Sequence, residues 1–178
     1  MPTRDTSDRL LWVAALLAVL TVSPLPGQPP TEPHAPKDGR YAAKFPGKPK
    51  DTQQSVTTDL GKLKVNVALY ASADGNAWWV SYTDYPADAI KPDVRSKLID
   101  AARDAMKGSD GKFVTEKDME FGPAKLPGRE VMLDRSKQQI RVRFLIRDQR
   151  LYQVAVMGPG EFVTGKDATG FLDSFEVK

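Results

Sequence analysis

The 178-residue chain contains no cysteine and a single histidine, His34. A thiol nucleophile is thereby excluded, as are zinc sites built from cysteine and histidine. Lipidation of an N-terminal cysteine is excluded for the same reason. A Ser/His/Asp triad needs a rigidly held imidazole, and the stretch from Pro33 to Pro36 around His34 does not suggest one. No G-x-x-x-x-G-K-[ST] occurs, nor a G-x-G-x-x-G after a strand, so nothing reads as a phosphate cradle. The formal net charge is only +3 and no nucleic-acid motif is present, so no nucleic-acid partner is expected. Metal and cofactor sites are not expected either, and no internal repeat is visible.

What is present begins with a targeting signal. Arg4 and Arg9 precede an apolar run from Leu10 to Val22, and Ser23-Pro24-Leu25-Pro26-Gly27 ends it. The run is shorter than the roughly 20 residues of a spanning helix and fits the core of a secretory signal peptide. Residues 1–23 are therefore expected to be a signal peptide or an N-terminal anchor. Export to the periplasm or the exterior is the first expectation. Anchoring by residues 10–22 is the alternative, and an uncleaved N-terminus would be the only membrane contact. Exported domains often carry disulfides, but residues 39–178 suffice to bury a core without them. Residues 24–38 hold six prolines and no apolar periodicity, which reads as an extended, solvated linker.

From residue 39 onward, short apolar runs alternate with turn signals. Arg40 to Phe45 reads as a first strand, stopped by Pro46-Gly47. Ser55 to Asp59 and Leu63 to Ala71 flank a turn. In the second, Leu63, Val65, Val67 and Leu69 alternate with less apolar residues at the period of a half-buried strand. Asp74-Gly75-Asn76 turns the chain into a strand over Ala77 to Asp84. Pro92-Asp93 opens a helix to about Lys107, with Val94, Leu98, Ala101, Ala102 and Ala105 on one face and Gly108 as its stop. Strands follow over Lys112 to Phe121, Arg129 to Asp134, Gln139 to Arg147 and Arg150 to Met157. A loop over residues 135–138 pairs Leu133 with Ile140, Val131 with Val142 and Glu130 with Arg143. Lys166 to Phe175 reads as a closing helix with Phe171, Leu172 and Phe175 inward, and residues 176–178 can extend as a strand. The order implies a single α+β domain over 39–178, built on a mostly antiparallel sheet flanked by helices.

Arg150-Leu151-Tyr152-Gln153-Val154, followed by a loop and Phe171-Leu172-Asp173-Ser174-Phe175, resembles the C-terminal half of the Mog1/PsbP-like family. Tyr41 to Pro46 (YAAKFP) is similar to its first strand, and Pro127-Gly128-Arg129-Glu130 resembles a pattern of uncharacterised exported bacterial proteins with the same ending. The resemblance implies a six- to eight-stranded antiparallel sheet with helices on its faces. Members are noncatalytic interaction modules, among them a nuclear-transport regulator that binds a small GTPase and an extrinsic photosystem II subunit. The resemblance brings no catalytic residue with it, and fold alone is a weak warrant for function.

Two clusters stand out as candidate binding residues. Arg141, Arg143 and Arg147 recur along one strand, with Arg150 following, and such a row could hold a phosphate, a carboxylate or an acidic partner. Its structural alternative is a sheet face balanced by Glu130 and Asp134. Trp79 and Tyr85 share a strand face and could stack on a sugar or an apolar patch, unless they serve only as core. Asp74-Gly75-Asn76 and Ser109-Asp110-Gly111 match turns better than the twelve-residue calcium loop.

The first expectation is an exported noncatalytic domain that binds a protein or an envelope component. A small-molecule or lipid carrier with a cavity between helix and sheet, roomed by Ala101, Ala102 and Ala105, is the alternative. A carboxylate-based enzyme is the third and would need acids converging in one cleft.

Overall fold

The computed structural model describes residues 32–178 apart from positions 59, 88 and 136. The expected signal segment and the linker as far as residue 31 lie outside the described residues. No helix among the described residues is long and apolar enough to cross a membrane.

Seven strands form one antiparallel sheet. They are β2 (Lys50–Thr58), β3 (Gly61–Ala71), β4 (Ala77–Asp84), β5 (Lys112–Phe121), β6 (Leu126–Arg135), β7 (Gln138–Arg147) and β8 (Arg150–Gly158). Their order across the sheet is β2-β3-β4-β8-β7-β6-β5. The three hairpins from β5 to β8 thus return the chain from one edge to the middle. Helix α1 (Arg95–Lys107) carries it from β4 out to that edge. Two further helices, α2 (Gly160–Val163) and α3 (Lys166–Asp173), follow β8. A two-stranded pair, β1 (Tyr41–Ala42) with β9 (Glu176–Val177), joins the two ends of the domain.

The expected register between β6 and β7 is the observed one: Leu133 faces Ile140, Val131 faces Val142 and Glu130 faces Arg143. The period of two fixes it, because a one-residue slip would turn Val131 and Leu133 out of the core. Elsewhere the boundaries move. The strand expected from Ser55 starts at Lys50, because its polar residues pair with β3 from Lys50–Leu69 onward. The strand expected over Arg40 to Phe45 keeps only Tyr41–Ala42, since β9 offers two residues to pair with. Gly158-Pro159-Gly160, read as loop, ends β8 and starts the short helix α2.

Both sheet faces are covered, and each has its own core. Against one face, Leu98, Ile99, Ala102 and Met106 of α1 pack on Trp79, Val131, Leu133, Ile140, Val142, Phe144 and Leu151. Ala101 and Ala105 are only half-buried, so the inward stripe is rotated from the expected one. The helix ends at Gly108, whose N–H makes the last helical bond to the Asp104 carbonyl and whose φ of 64° turns the chain away. Against the opposite face, Phe171 and Leu172 of α3, Val163 of α2 and Tyr41, Phe45 and Phe175 pack on Trp78, Val80, Leu145, Tyr152 and Val154. Each buried Val, Leu, Ile, Phe or Met side chain among them contributes about 1.5–3 kcal/mol.

Candidate binding site

The arginine row lies on the face covered by α2 and α3, so it is an internal fastening and not an open strip. Arg143 donates from Nε to Glu130 Oε2 at 2.7 Å and pairs through Nη1 with Asp173 of α3 at 2.8 Å. Arg141 donates to the same Glu130 oxygen at 3.1 Å and to Thr169 Oγ1 at 2.9 Å. Arg147 donates to the Lys178 carbonyl at 3.1 Å and so holds the C-terminal end. Burial alone would raise the Glu130 pKa, but the bonds from Arg143, Arg141 and Lys117 outweigh it and bring it down to about 2. Asp134, the other expected counterion, instead accepts from Gln139 Nε2 at 2.7 Å.

Trp79 and Tyr85 are 4% and 5% exposed and sit in the core beneath α1, which corrects the expectation of a surface pair. Alternation puts Trp78 and Trp79 on opposite faces, but both faces are roofed, so neither indole reaches solvent. The Tyr85 hydroxyl is buried without a hydrogen-bond partner, and burial pushes its pKa up.

On the other face, a concavity forms where the N-terminal residues cross the sheet. The last linker residues are part of the domain. His34 and Ala43 exchange backbone bonds of 2.8 and 3.0 Å. The His34 imidazole lies 3.0 Å from Asp51 Oδ1 and edge-on to Phe45, so this histidine is held, contrary to expectation. Arg150 then locks the following turn. It makes a bidentate pair with Asp84, with both contacts at 2.6 Å, and Nη1 donates to the Asp38 and Gly39 carbonyls at 2.6 and 2.7 Å. Its guanidinium stacks 4.3 Å from the Tyr82 ring centre, and the Tyr152 hydroxyl donates to the Gly39 carbonyl at 3.0 Å.

Under this strap runs a trough of two adjoining hollows of about 400 and 350 Å³, which share Asp38, Gln53, Asn66 and Tyr82. Lys62 and Lys64 stand exposed at one end. Gln53 donates to Asn66 at 2.7 Å, which leaves further amide donors and acceptors toward solvent. Such a surface suits an extended polar chain. Among the described residues no group of three or more histidines or acids could hold a metal ion. The sequence did not single out this site, because its parts lie far apart: Arg150 and Asp84 are separated by 66 residues.

No family model matches the chain, and no curated protein matches it. Among solved structures, the solution structure of cyanobacterial PsbP (CyanoP) from Synechocystis sp. PCC 6803 is similar, with a TM-score of 0.51 and 10% sequence identity. The match covers 90% of this chain and 99% of that one. At that identity the likeness concerns fold alone. Tyr152 sits on the middle strand, and the Ser174–Phe175 pair closes α3, with Ser174 Oγ accepting from the Lys44 N–H at 2.8 Å. The chain has a PsbP-like α+β fold.

Proposed function

We propose that this chain is an exported noncatalytic binding domain whose trough between the strap and β2–β4 recognises a protein or another envelope component. One observation carries the reading. The strongest charged group of the trough, Arg150, is committed to Asp84 and the strap, while Lys62, Lys64, Gln53 and Asn66 remain presented around it. A rigid frame with free polar groups at its rim is what recognition requires. The signal-like start and the proline-rich segment support export and a domain held away from a membrane or processing site.

A carboxylate-based enzyme has less support. Asp38 and Asp84 line one hollow, but both Asp84 oxygens are taken by Arg150. The binding reading is tested by capture from an envelope fraction with the wild type and with a Lys62→Glu/Lys64→Glu variant of unchanged melting temperature. A partner captured by the wild type and lost with the variant is expected. Equal capture by both removes the trough as the binding surface.

A further inference from the structure

An open cleft of about 580 Å³ separates the start of α1 from the ends of β5, β6 and β7, on the face opposite the trough. Its volume is within the roughly 300–1,000 Å³ of small-molecule sites. Pro92, Ile99, Pro127 and Ile146 give it an apolar lining. The alanines expected to make room between helix and sheet do not form it, since Ala102 is packed into the core.

One charge in this cleft is uncompensated. Arg95 is the first residue of α1, and its Nε is buried with no hydrogen-bond partner. No ion pair among the described residues reaches its guanidinium, whereas the neighbouring Arg129 is paired with Asp100, Glu116 and Asp118. Of the two acids of the rim, Asp118 binds Arg129 at 3.1 Å, and Glu120 is exposed and lies 3.9 Å from Lys125. An arginine in the first turn opposes the helix dipole, and no acidic residue is present there to offset it. The helix dipole does not favour this placement, and a buried donor without a partner is a point where an anion could bind.

We propose that this cleft binds a small amphipathic carboxylate, with its carboxylate on the Arg95 guanidinium and its apolar tail along Ile99, Pro127 and Ile146. Arginine suits the role because its planar fork holds a carboxylate through two parallel bonds. The site is separate from the trough and stands whether or not the trough binds a partner.

The test uses decanoate as probe, below the concentration at which it forms micelles, titrated into the purified full chain by calorimetry. Methyl NMR of Ile99 and Ile146 locates the binding. Saturable one-to-one binding that moves both isoleucine methyls is expected. Arg95→Gln should weaken it by about tenfold or more, as for a hydrogen bond to a charged group, and decanol should bind correspondingly more weakly than decanoate. Ser96→Phe, which fills the cleft mouth from an exposed position, should abolish binding with the melting temperature unchanged. The proposal is overturned by absence of saturable binding, by unmoved isoleucine methyls, by equal affinity for decanol, or by an Arg95→Gln chain that binds like the wild type.

Discussion

Arg150 sits almost buried at the junction of strap and sheet, with Asp84 on one side and two backbone carbonyls on the other. Arg150→Met keeps much of its volume but leaves those carbonyls and Asp84 unanswered. A loss of about 2–4 kcal/mol is expected in urea unfolding, below the largest buried-pair values because Asp84 is half exposed. Glu130 makes a pH-dependent contribution of defined sign. Its carboxyl titrates near 2 in the folded chain and near 4.5 when unperturbed, so on acidification the unfolded chain takes up the proton first. The stabilisation is complete above about pH 5 and is lost as the pH falls toward 2, amounting to about 2–3 kcal/mol. The difference in urea midpoint between wild type and Glu130→Gln should shrink over that interval and be flat above it. Tyr85 behaves oppositely: its buried hydroxyl has no partner, so Tyr85→Phe should leave stability within about 0.5 kcal/mol of the wild type or raise it. A cost well above that, measured in the same titration, would mean the hydroxyl is bonded.

At the scale of elements, α1 shows what periodicity reveals and what it leaves open. Three- and four-residue spacing gives the helix and its stop at Gly108, but alanines fit a helix anywhere, so Ala101 and Ala105 pointed to a face the helix does not bury. Leu98→Ala should cost about 2–4 kcal/mol, whereas Ala105→Gln should cost less than about 1 kcal/mol. Equal costs would contradict the packing of Leu98, Ile99, Ala102 and Met106 against the sheet. The β6–β7 register was legible for the opposite reason. Val131, Leu133, Ile140 and Val142 can meet in only one alignment, and Glu130 opposite Arg143 agrees with it. β2 shows the limit, since Lys50 to Gln54 carry no apolar signal and are strand only because β3 pairs with them. At β6, Gly128 is also fixed by its surroundings: an added Cβ would meet the Phe121 ring and the Phe144 carbonyl.

For the whole molecule, helices on both faces of the sheet were expected from the order of elements and the resemblance, but which side chains each helix covers was not legible. Alternation assigns Trp78 and Trp79, or Arg141 and Val142, to opposite faces, but it does not say what roofs each face. The candidate residues Trp79, Tyr85, Arg141 and Arg143 were therefore right in their sidedness and are interior in fact. The trough depends on contacts across the chain, Asp38 with Arg150 and Gln53 with Asn66, and no local pattern announces them. The position of the strap also explains why the domain begins before residue 39. Asp38 and Gly39 supply the carbonyls that Arg150 and Tyr152 bind, and His34 exchanges backbone bonds with Ala43.

The most direct test of the trough as a recognition surface is site-specific photocrosslinking in the cells that produce the protein. The crosslinker is placed at Lys64 in the trough and at Lys97 on the exposed side of α1. A discrete adduct from Lys64, absent from Lys97, is the expected result. Adducts from Lys97 alone, or identical patterns from both positions, would contradict it.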